Sequence, residues 1–80
     1  MRIAVTYDKE NGQIFQHFGH TEQFKLYQVE NGRVVSSVTL PTNGTGHGAL
    51  AALLAQMKAD VLICGGIGGG ARAALMEQGI

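Results

Sequence analysis

Val61-Leu62-Ile63-Cys64-Gly65-Gly66-Ile67-Gly68-Gly69-Gly70 is the stretch on which the fold turns. Four consecutive apolar residues predict a strand buried on both faces, and the glycines after them predict a sharp bend into a helix. Upstream, Leu50, Leu53, Leu54 and Met57 recur at i, i+3, i+4 and i+7, one apolar stripe on an alanine-rich helix. That helix can act as a crossover, so the Val61 strand is expected to run parallel to an earlier one. Downstream, Ala71, Ala74 and Leu75 share a face of the second helix, and Gly79 is placed to end it.

Towards the N-terminus, Ile3, Ala4, Val5, Tyr7 and Asp8 form the earlier strand, closed by the turn Lys9-Glu10-Asn11-Gly12, with a brief return strand at Ile14-Phe15. Phe24 to Val29 and Val34 to Leu40 flank Glu30-Asn31-Gly32-Arg33, a strong antiparallel hairpin signal. In the second arm Val34, Ser36, Val38 and Leu40 are expected on one face, with Val35, Ser37 and Thr39 on the other. Pro41 to Gly46 is a turn-rich connection. The fold class is α/β, a mixed sheet with an antiparallel hairpin and a parallel β-α-β unit in one domain, 1–80. The chain stops at Ile80, where the alternation calls for another buried strand. The expectation is a sequence cut short, lacking a strand alone or a strand and a helix, or else a sheet edge left open to a partner.

Eighty residues, 45% hydrophobic and 15% charged, suit one small packed domain. Lys plus Arg and Asp plus Glu balance at 6 each, so there is no basic field to hold nucleic acid and little repulsion against a homo-oligomer. The lone cysteine, Cys64, has no disulfide partner within the chain, no signal peptide is expected ahead of the first strand, and no apolar run approaches the roughly 20 residues of a membrane span. A cytoplasmic protein with no membrane contact is expected.

Nearly all reactive side chains fall in three stretches: His17-Phe18-Gly19-His20, Gly46-His47-Gly48 and Cys64-Gly65-Gly66-Ile67-Gly68. Following the chain up and down the expected strands brings all three to one end of the sheet, where ligands bind beyond the strands' carboxyl ends. His17, His20, His47 and Cys64 are the candidate metal ligands, imidazole and soft thiolate. Against this, a loop histidine is commonly just solvated, His47 can cap its helix, and a cysteine ending a strand packs as a small hydrophobe. Phe18 reads as a core anchor positioning the loop. Gly65, Gly66 and Gly68 allow backbone close to an anion near a helix N-terminus, or they simply turn the chain. The glycine run lacks the Lys and Ser or Thr of a phosphate-binding loop. Asp8 has only Glu10 near it in sequence, too few carboxylates for a two-metal nuclease. No nucleophile triad can be assembled either, so no enzyme is expected.

Together, Met1 to Asp8, His17-Phe18-Gly19, the hairpin, Gly46-His47-Gly48 and Cys64-Gly65-Gly66-Ile67-Gly68 resemble the dinitrogenase iron-molybdenum cofactor biosynthesis family over the whole chain. The resemblance implies a three-layer ribonuclease H-like fold without nuclease activity. It implies a carrier or chaperone that binds an iron-sulfur or iron-molybdenum cluster precursor and exchanges it with a donor or acceptor protein. His17 takes the family's cluster-binding position, Phe18 and Gly19 complete that motif, and Cys64 matches its Cys-Gly-Gly. Two other functions remain open on the residues: a small-molecule or nucleotide-binding module built on the glycine loop, and a non-catalytic interaction domain using a sheet edge.

Overall fold

Residues 1–42 and 47–80 are described by a computed structural model, His47 and Gly48 by their backbone alone. The strands are β1 (Arg2–Asp8), β2 (Gln13–Ile14), β3 (Gln23–Glu30), β4 (Arg33–Pro41) and β5 (Val61–Ile63); the helices are α1 (His47–Gln56) and α2 (Gly69–Glu77). A 3-10 turn occupies Phe18–His20.

β1 is the hub of the sheet. Along one edge it pairs antiparallel with β3, which pairs antiparallel with β4. Its other edge is shared: β5 runs parallel to Ile3–Val5, and β2 runs antiparallel to Tyr7–Asp8. The parallel crossover and the hairpin are thus where the sequence puts them. Asn31 and Gly32 turn the hairpin with φ of 53° and 75°, the paired positive angles of the type I′ turn whose twist matches that of the strands.

One alternation differs from expectation. Gln28 faces Ser36 but Val29 faces Val34, so Val35 is an extra residue in β4 and Val34 lies on the face opposite Ser36 and Val38. Period-two reading cannot see an inserted residue.

The core is a single cluster in which Ala4 and Phe24 of the sheet meet Phe18, Leu50, Ala51 and Leu54 of the turn and α1, and Ala71 and Leu75 of α2. Two corrections follow. Both helices lie on the Ala4–Phe24 face, so the described residues build two layers rather than three. For the same reason β5 is not buried on both faces: Leu62 packs on the core, while Val61 and Ile63, pointing the other way, are 37% and 43% exposed. A continuous apolar run states that a strand is apolar, not that both sides are covered.

α2 ends as glycine chemistry dictates. Gly79 has φ 76°, its N–H donates to Met76 O, and the Ile80 N–H donates to Leu75 O. These are the two bonds of a Schellman closure, and Ile80 folds back against the core. Among the described residues no helix is long and apolar enough to cross a membrane.

Candidate functional site

The site is built by a seam between two segments almost fifty residues apart. After β2 the chain passes beside the end of β5. There the Gly66 N–H donates to Gln16 O at 2.6 Å and the Phe18 N–H donates to Gly66 O at 3.0 Å, a parallel bridge between His17 and Gly66. The seam needs glycine: a Cβ on Gly65 would sit 2.6 Å from Gln16 Cα and 2.7 Å from Gln16 O. Gly68, by contrast, has open space where a Cβ would be, so no packing demand accounts for it.

Just past the seam the 3-10 turn forms, with the His20 N–H donating to His17 O at 3.0 Å and the Thr21 N–H to Phe18 O at 3.3 Å. Phe18 is 1% exposed and packs on Phe24 with ring centroids 6.1 Å apart. It holds the turn from below. His17 and His20, on either side of that anchor, are both exposed. Their rings meet edge to face with centroids 6.4 Å apart, and Phe15 meets the His17 ring at the same distance.

Buried threonines fasten the exit from this turn. The Thr42 hydroxyl donates to Thr21 O at 2.9 Å and approaches Glu22 O at 3.2 Å, and the Thr42 N–H donates to Glu22 O. The Thr21 hydroxyl donates to Gln23 O. The end of β4 is thereby tied to the histidine turn, a role that nothing in the spacing of Thr21 and Thr42 suggests.

Cys64 lies one residue beyond β5 and packs against the core. Burial pushes its thiol pKa up, which disfavours the thiolate. The backbone therefore brings the His17 and Cys64 stretches together, while the side chains differ in character, exposed imidazoles against a sheltered thiol. The 3-10 turn also packs against α1, whose first residue is His47. The His47 side chain lies outside the described residues, as does the loop before it.

Next to this edge is a cleft of about 150 Å³ lined by Tyr7, Asp8, Glu10, Phe15, Glu22 and Gln23, with Lys9 at its side. Sequence separation hides Glu22 from Asp8 and Glu10; the fold brings it to them. Among the described residues no three His, Cys, Asp or Glu side chains are grouped to hold a metal ion.

No curated protein matches the chain significantly. Among solved structures it is similar to the one titled "Crystal structure of PH0822", with a TM-score of 0.92 and 25% identity over 100% of this chain and 72% of that one. The family model described as dinitrogenase iron-molybdenum cofactor matches residues 1–80. The seam, the paired imidazoles and the glycine bend are thus features of a chain that belongs to the dinitrogenase iron-molybdenum cofactor family.

Proposed function

We propose that this chain binds an iron-sulfur or iron-molybdenum cluster precursor as cargo and passes it between a donor and an acceptor protein, without catalysing a reaction on it. The observation that carries the reading is the seam. It fixes His17 at an exposed rim, 6.4 Å from His20 between ring centroids and alongside the Gly65–Gly66 backbone.

Membership of a family described by the dinitrogenase iron-molybdenum cofactor supports this class of cargo. Exposed imidazoles give the means of holding it loosely, since nitrogen ligands suit iron and a shallow site permits release. In this reading His17 is the first ligand and His20 the second, with His47 completing the set. Gly19, Gly66 and Gly68 let the backbone approach an anionic cluster, and Phe18 acts by positioning. Cys64 joins only if the metal displaces its proton. The strand order β4-β3-β1-β5, with β5 parallel to β1, supports a ribonuclease H-like sheet as the scaffold.

Anaerobic reconstitution with ferrous iron and sulfide, followed by metal and sulfide analysis, tests the proposal. The expected result is bound cluster with visible charge-transfer absorbance, lost in His17→Ala while the circular dichroism of the fold is retained. Loading that is indifferent to both His17→Ala and His20→Ala would remove the rim from the function.

A further inference from the structure

Among the described residues β4 is the longest strand, nine residues from Arg33 to Pro41, and is bonded along one edge only, to β3. All its residues but Leu40 are exposed, with Val34 at 60%, Val35 at 55% and Val38 at 49%. Edge strands of soluble proteins ordinarily carry lysines, mid-strand prolines or inward charges that discourage pairing with another chain. Between Val34 and Leu40 there are none: the cation Arg33 opens the strand and Pro41 closes it. Among the described residues the guard on this edge is the bulge at Val35, which leaves Ser36–Leu40 in regular register. The opposite edge offers less, since β5 has three residues and the chain beyond it is engaged by Gln16 and Phe18.

We infer that Ser36–Leu40 is a self-association edge that pairs antiparallel with the same segment of a second copy, about a two-fold axis through Val38. Facing residues in a continuous antiparallel ladder share a face, so such an axis must pass through a residue and not between two. Centred on Val38, it sets Val38 against its own copy, Ser37 against Thr39 and Ser36 against Leu40, with no charged side chain inside the paired segment. Arg33 is carried away from its symmetry mate, and a formal net charge of zero removes long-range repulsion between copies. A second copy fits better than a foreign strand because the two-fold makes the edge self-complementary without further matching. Pairing of five residues per chain buries less than the roughly 1,200 Å² of standard stable complexes, so the dimer is weak and concentration-dependent.

The test does not depend on any cargo. Sedimentation velocity of the wild-type chain from micromolar to millimolar concentration should show a reversible dimer, and Val38→Lys should weaken it by about tenfold or more. Monomer throughout, or a dimer unaffected by Val38→Lys, overturns the inference. Register is read separately in a Cys64→Ser background. Val38→Cys should oxidise to a linked dimer, and Ser37→Cys mixed with Thr39→Cys should cross-link to each other in preference to themselves, because only facing positions meet disulfide geometry. Cross-linking no faster than that of a cysteine at exposed Ala73 on α2 also overturns it.

Discussion

Gly65 faces the main chain of Gln16 so closely that any side chain on it would collide with backbone, its Cβ 2.6 Å from Gln16 Cα. Backbone on both sides leaves no flexible side-chain end to move aside. Gly65→Ala should therefore open the seam and destabilise the domain by about 1–3 kcal/mol, the usual range for overpacking. Gly70→Ala, in α2 with nothing within 4 Å of the added Cβ, should instead stabilise by about 0.5–1 kcal/mol through helix propensity. Urea denaturation of the two variants checks the contrast; equal effects would refute the steric account.

Phe18 anchors the turn that carries His17 and His20. Fully buried against Phe24, it should cost about 3–5 kcal/mol as Phe18→Ala, a large share of the roughly 5–15 kcal/mol available to a small domain. His17→Ala, at an exposed position one residue earlier, should stay within about 0.5 kcal/mol of wild type. Thermal melts of the cluster-free variants distinguish the two roles.

Thr42→Val removes a buried hydroxyl whose acceptors, Thr21 O and Glu22 O, lie under the histidine turn. The expected loss is about 1–3 kcal/mol from the buried carbonyl left without its donor. Faster amide exchange should appear at His20 and Thr21 before the sheet is affected. Uniform protection across the domain would count against this local tie.

Burial raises the Cys64 thiol pKa, so the folded chain keeps its proton at a pH where the unfolded chain has lost it. The stability this contributes is present below the ordinary thiol value of 9.0 and is lost as pH rises through the folded value. Cys64→Ala should flatten that alkaline fall in a comparison of denaturation midpoints. At pH 8, iodoacetamide should label Cys64 in the native protein more slowly than in the urea-unfolded chain. Faster native labelling would contradict a sheltered thiol.

Much of the scaffold was legible because local chemistry decides it. Asn31-Gly32 dictates the hairpin, the Leu50–Met57 stripe dictates α1, and Gly79 dictates the end of α2. What stayed hidden depends on partners remote in sequence. The apolar run at Val61–Ile63 has the same letters whether one face is covered or two, and the bulge at Val35 changes register without changing composition. For the candidate site, chain direction was enough to bring the His17 and Cys64 stretches to one edge. It could not show that Gln16, a residue without chemistry of its own, supplies the backbone that joins them. Nor could it show that Glu22 turns back to Asp8, or that Thr42 reaches Thr21.

The bonds between Gln16, Phe18 and Gly66 also set an order of events in the life of the molecule. A ribosome that has delivered only the N-terminal hairpins has made both imidazoles and their Phe18 anchor, but not Gly66, whose backbone closes the rim beside His17. Under the proposed function, capture of cargo waits until Gly66 has emerged and closed the seam. On that reading captured cargo favours the closed molecule by mass action, so a loaded chain should resist proteolysis longer than an empty one.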